Sequence, residues 1–188
     1  MQAPALFLDC DGVINEDGCY THRIEDFRFI DDIFDIGRQA RQLGWRIFVI
    51  TNQAGIGRGL HTEADFLRLT KWMQQRFVAE QAPINRVHCC PYHPTEALGD
   101  YRRESPMRKP NPGMILQARD EFGVDLARSV LIGDKASDIE AGRRAGVGTN
   151  LWFRPGAVAA DTPADPRYGV AIDRLRQTLA YIQAAAAP

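Results

Sequence analysis

Two aspartates separated by one residue, Asp9 and Asp11, close the apolar run Leu6-Phe7-Leu8 and precede Gly12-Val13-Ile14-Asn15. In extended chain, residues two apart point to the same side. Two carboxylates held that close need a cation or a shared proton, so the pair suits metal binding or acid–base chemistry. A pair of solvated turn aspartates is the chemically silent alternative. A second polar cluster, Thr51-Asn52-Gln53-Ala54-Gly55, follows another apolar run. Its hydroxyl, amides and small-residue N–H groups suit an oxyanion such as phosphate, although many ordinary turns share this composition. Arg108 and Lys109 stand together just ahead of Pro110-Asn111-Pro112-Gly113. There a guanidinium can fork onto phosphate while the ammonium acts as a point charge, unless both are simply solvated. Last comes Gly133-Asp134-Lys135-Ala136-Ser137-Asp138. Asp134 directly follows an apolar run, where a third carboxylate would complete an oxygen-rich magnesium site. Asp138 is expected to support that site or the start of a helix.

These clusters need elements to position them. Short apolar runs at Ala5 to Leu8, Arg46 to Ile50, Val87 to Cys90, Val130 to Ile132 and Thr149 to Phe153 read as strands. Several are continuously apolar, the pattern of parallel strands covered on both faces. Helices are expected between them. The first runs from Asp32 to Leu43. The second opens at Thr62 with Asp65 three residues on, burying Phe66, Leu69, Met73 and Phe77. A third begins at the cap-and-proline pair Asn111-Pro112 and ends at Gly123. A fourth opens with a capping box over Ser137 to Glu140 and ends near Gly146. The alternation predicts a doubly wound, mostly parallel α/β sheet, with ligands at the carboxyl ends of its strands. Residues 16 to 31 are expected to form a flap or hairpin, and residues 91 to 110 a long functional loop. A connection from Gly156 to Gly169 leads to a last amphipathic helix through Ile172, Leu175, Leu179 and Ile182.

Bulk properties exclude other classes. The chain has 188 residues, 45% hydrophobic and 25% charged, with a formal net charge of −1. That length fits one domain over residues 1–188, and the charge suggests neither a nucleic-acid nor a membrane partner. No apolar run reaches about 18 residues, and no secretory leader is evident. Cys10, Cys19, Cys89 and Cys90 form no disulfide framework. A cytoplasmic protein, taken to be a monomer, is expected.

Taken together and in this order, the four clusters resemble the haloacid dehalogenase (HAD) superfamily of phosphatases, over about residues 5 to 155. The combination DxDGVIN, TNQ-x-G-I-x-R-G, RKP-x-PGM and GDK-x-x-D is closer still to the heptose bisphosphate phosphatase branch, beside the histidinol-phosphatases. The resemblance implies a Rossmannoid fold without a separate cap domain, and Asp9 as a nucleophile forming an aspartyl-phosphate. It makes Asp11 the general acid and base, and Thr51 and Lys109 the groups that stabilise the phosphoryl. Mg²⁺ would be held by Asp9, Asp11 (through its carbonyl) and Asp134. Substrate would be bound by Asp17, Gly18, Cys19, Tyr20, Asn52, Gln53, Ala54, Arg108 and Lys135. The implied substrate is a small sugar phosphate, best D-glycero-D-manno-heptose 1,7-bisphosphate losing its 7-phosphate on the way to a surface polysaccharide. Histidinol phosphate, or another small phosphomonoester, is the alternative. A non-catalytic phosphate-binding domain is a weaker reading, because binding alone requires no nucleophile and acid together.

One departure bears on cofactors. That branch holds structural zinc through a C-P-H…C-x-C pattern. Here Cys90 is followed by Tyr92 at the histidine position and by Ser105 and Met107 at the later two, so no structural zinc is expected, even with Cys89 and His93 nearby.

Overall fold

The computed structural model describes residues 2–18, 20–156 and 169–186. Among them, β1 (Ala5–Leu8), β2 (Arg46–Asn52), β3 (Arg86–Cys90), β4 (Val130–Gly133), β5 (Thr149–Phe153) and β6 (Val170–Ile172) form one sheet in the order β3-β2-β1-β4-β5-β6. All five pairings are parallel. The helices are α1 (Ile33–Gln42), α2 (Ala54–Gly57), α3 (Glu63–Ala79), α4 (Gly113–Phe122), α5 (Ala136–Ala145) and α6 (Thr178–Ala186).

The central strands β1 and β4 and the middle of β2 are apolar because both their faces are covered. Leu6, Leu8, Ile47, Val49 and Ile132 pack with Ile33 and Ile36 of α1, Met73 and Phe77 of α3 and Ile182 of α6. Ala5, Phe7, Phe48, Ile50 and Leu131 face the other way, onto Met114 and Ile115 of α4 and Ile139 of α5. Alternating side chains of one strand thus serve two cores. Order reverses at β1, so a crevice opens beyond the carboxyl ends of β1 and β4.

Residues 16–18 and 20–31 fold back beside the end of β1 as the expected flap. Glu16 N–H donates to Arg28 O (2.9 Å), Ile30 N–H donates to Ile14 O (3.0 Å), and Asn15 bridges Phe29 in antiparallel sense. Phe29 anchors the flap's stem against Trp72 and Phe34, with ring centroids 5.5 and 4.8 Å away.

Four local expectations are corrected. The α4 N-cap is Pro112 rather than Asn111, whose amide instead donates to Ser105 O (2.9 Å). At α5 the helix begins two residues earlier than the Ser137–Glu140 box requires. Asp138 therefore accepts Lys135 N–H (2.9 Å), and Glu140 pairs with Arg143 and Arg144. On α3 the Thr62–Asp65 box forms, but Phe66 is only half buried. Ile172 belongs to edge strand β6 rather than to the last helix, which starts at Thr178 after a 3₁₀ turn over Leu175–Gln177.

Candidate active site

The four clusters converge on the crevice. Asp9 follows β1, its N–H continuing the ladder to Ile132 O (3.0 Å). Thr51 and Asn52 end β2, Asp134 follows β4, and Lys109 arrives from the loop beyond β3. Asp9, Asp11, Thr51, Asn52, Lys109, Lys135, Ser137 and Asp138 line one small cavity of about 50 Å³.

Lys109 is its hub. The buried ammonium lies 2.7 Å from Asp9 Oδ1, 2.7 Å from Asp138 Oδ1 and 2.9 Å from Ile50 O. Burial alone would lower its pKa, but Asp138 and Asp9 outweigh it and hold the lysine charged. One ammonium is not enough for the carboxylates around it. Burial pushes Asp9 up to about 8, Lys109 pulling down and Asp138 pushing further up. Burial likewise raises Asp134 to about 6, against the pull of Lys135.

Carboxylate oxygens of Asp9, Asp134 and Asp138 lie within 4.8 Å of one another. Asp134 Oδ1 is buried with no hydrogen-bond partner. A buried lone acceptor beside other carboxylates fits a hard divalent cation, which takes oxygen ligands and supplies the missing charge. Glycines make this packing possible. A Cβ on Gly12, where φ is +88°, would stand 2.3 Å from Asp134 Oδ2, and one on Gly133 would stand 2.2 Å from Asp138 Cβ.

Asp11 is gripped from both sides. Asn15 Nδ2 donates to its Oδ1 (3.1 Å), while Gln53 Nε2 reaches its Oδ2 (3.5 Å) and also donates to Thr51 Oγ1 (3.0 Å). Burial raises the Asp11 pKa, partly offset by the Asn15 bond. Burial, rather than these amide donors, favours the protonated form a general acid needs.

The expected substrate contacts are placed differently from one another. Lys135 reaches Asp17 Oδ2 at 3.3 Å and Asp134 Oδ2 at 3.7 Å, tying the flap to the crevice. Arg108 is half buried, its Nη1 donating to Tyr92 O (3.1 Å). Tyr20, on the flap at φ +68°, lies under the Arg58 guanidinium (5.5 Å), beside Gly18. Ala54 opens the short helix α2. Asn52 uses its amide on the Lys109 backbone. Cys19 lies outside the described residues.

Ser137 lines the cavity and Asn15 braces Asp11, roles the sequence reading did not give them. Both stand inside the motifs. Ser137 is not the cap of α5, and Asn15 is fully buried.

Adjacent residues of β3, Cys89 and Cys90, face opposite sides of the sheet. Burial pushes the Cys89 thiol up to about 11. His93 Nδ1 accepts from the backbone N–H groups of Thr95 (3.3 Å) and Glu96 (3.0 Å).

Comparison with known proteins places this site in context. Residues 106–171 match the HAD-hydrolase-like family model. The chain is 55% identical over 151 residues to the D-glycero-alpha-D-manno-heptose-1,7-bisphosphate 7-phosphatase of Burkholderia mallei, covering 80% of each chain. The chain belongs to the HAD-like hydrolases. It is also 43% identical to the D-glycero-beta-D-manno-heptose-1,7-bisphosphate 7-phosphatase of Vibrio cholerae, covering 83% of this chain and 84% of that one. Among solved structures, a HAD-like protein of Mesorhizobium loti superposes with TM-score 0.85 at 31% identity, covering 98% of this chain and 86% of that one. The D,D-heptose 1,7-bisphosphate phosphatase of B. bronchiseptica, complexed with magnesium and phosphate, gives TM-score 0.81 at 22% identity, covering 96% of this chain and 98% of that one, and supports the fold.

Proposed function

We propose that this HAD-like hydrolase is a phosphatase that removes the 7-phosphate of D-glycero-D-manno-heptose 1,7-bisphosphate through an aspartyl-phosphate on Asp9. The observation that carries the reading is the buried Asp9–Lys109–Asp138 cluster (2.7 Å on each side of the ammonium) facing the orphaned Asp134 oxygen. The substrate rests on the likeness to the Burkholderia mallei enzyme.

Asp9 Oδ2 attacks phosphorus, while Lys109 holds the other oxygen and faces the charge on the transferring group. Asp11 gives its proton to the leaving alkoxide, then takes one from the water that attacks the phosphoenzyme. Thr51 Oγ, oriented by Gln53, donates to a phosphoryl oxygen. Asp9, Asp134 and the Asp11 carbonyl would hold Mg²⁺, with Asp138 bracing Lys109. Bound there, Mg²⁺ neutralises carboxylate and phosphate charge, which phosphoryl transfer requires. Arg108 and Lys135 serve the second phosphate, and Asp17, Gly18 and Tyr20 of the flap line the sugar's side of the pocket.

Turnover of a phosphate-ester panel with and without Mg²⁺ tests this. The bisphosphate, supplied as both anomers, should exceed histidinol phosphate in kcat/KM, with activity only when Mg²⁺ is present. A win for histidinol phosphate would transfer the assignment to that substrate, and metal-independent turnover would remove magnesium from the account.

A further inference from the structure

Asn52 stands at the end of β2 beside Thr51, where a side chain aimed at phosphate would be expected to bind substrate. Its amide faces elsewhere. Asn52 Nδ2 donates to Lys109 O at 3.0 Å, and Asn52 Oδ1 accepts from Lys109 N–H at 3.0 Å. These two bonds reproduce, across 57 positions of sequence, the reciprocal pairing that a neighbouring strand would offer.

The lysine has need of such a partner. It arrives at the end of a loop whose described regular structure is limited to the single turn Gly99–Tyr101, and Pro110 after it has no N–H to contribute. Its backbone polar groups sit beside a buried site, where unpaired groups are costly. From the same strand end, Ile50 O holds the ammonium at 2.9 Å. β2 therefore grips Lys109 twice, by its main chain through Asn52 and by its side chain through Ile50.

We infer that Asn52 is a positioning residue that acts through Lys109, rather than a contact that sets substrate affinity. The inference rests on Lys109 being the group that stabilises the transferring phosphoryl. Lys109 Nζ must sit within hydrogen-bond reach of both Asp9 and Asp138, and a backbone free to drift would misplace it in the transition state. Substrate binding through the flap and Arg108 would be little changed.

A double-mutant cycle reads this directly, with p-nitrophenyl phosphate and Mg²⁺ as the assay. Asn52→Ala should lower kcat about tenfold to a hundredfold, the range expected for losing two neutral hydrogen bonds, with KM within about twofold of the parent. Asn52→Ser keeps a polar group at this position but is too short to span both Lys109 atoms, so it should behave like alanine. In a Lys109→Ala background, Asn52→Ala should cost less than about twofold, because the group it positions is gone. A rise in KM with kcat held, recovery by serine, or the full loss persisting in the Lys109→Ala background would overturn the inference. The nitrophenyl ester carries no sugar, so poor turnover of the heptose bisphosphate would sink the substrate assignment and leave this cycle standing.

Discussion

At the residue scale, the site is a problem of charge balance. Lys109 lies between Asp9 and Asp138 and Lys135 lies beside Asp134, yet burial still raises the pKa values of Asp9 and Asp134. The sign of the consequence follows from linkage. With Asp9 at about 8 instead of 3.8, the metal-free folded state binds more protons than the unfolded chain between those values. Its stability therefore falls as pH rises through that window, and a cation must displace protons to bind. Apparent Mg²⁺ affinity should climb from pH 6 to pH 8, and calorimetry in buffers of different ionisation enthalpy should register proton release. Affinity that is flat over this range would contradict the proposed ligands. Asp11 makes a separate prediction. Asp11→Asn should lower kcat on alkyl phosphates about 10²- to 10⁴-fold. With a nitrophenyl ester, whose leaving group needs no proton, phosphoenzyme should accumulate in that variant. Unimpaired steady-state rates on both esters would remove Asp11 from its role.

Individual elements differ in how far the sequence announced them. Strands β1, β2 and β4 were legible because both faces of their centres are buried, so their apolar runs are continuous, and β3 and β5 were legible from shorter apolar runs. The three-residue edge strand β6 was not: Val170 is 43% exposed, and Ile172 happens to fall in helical spacing with Leu175, Leu179 and Ile182. Caps were misread where a side chain found a better partner than its own helix, as Asn111 did with Ser105 and Glu140 with two arginines. The loop from 91 to 110 is held by contacts that need no metal. Tyr92 and Tyr101 rings lie 6.0 Å apart, Arg103 stacks over Tyr92 at 3.9 Å, and Arg102 Nε donates to Ala97 O at 2.7 Å. Purified protein should accordingly carry no stoichiometric zinc, and chelation should leave the loop's protease resistance unchanged. About one zinc per chain, with the loop cleaved once it is stripped, would show that Cys89, Cys90 and His93 had been misjudged.

On the scale of the whole molecule, the fold assembles at the carboxyl end of its sheet what the sequence scatters. The order of the four clusters revealed the family because three of them close β1, β2 and β4 at the carboxyl end of a doubly wound sheet, where such folds bind ligands, and the loop beyond β3 brings the Arg108-Lys109 cluster to the same end. Which side chains touch was not legible. The Asp9–Lys109 pair spans 100 positions and the Asn52–Lys109 clamp 57, and neither distance nor orientation is written in local pattern. Asp138 was expected to support the site, and its grip on Lys109 gives that support a definite form. Everything converges on one claim, that Asp9 carries the phosphoryl group. The direct test is to quench the Mg²⁺-loaded enzyme during turnover, reduce it with borohydride and map the modified residue by mass spectrometry. Reduction of an acyl phosphate converts the aspartate to homoserine, so the account predicts homoserine at position 9 that is absent without substrate; modification at another carboxylate, or none during active turnover, would contradict it.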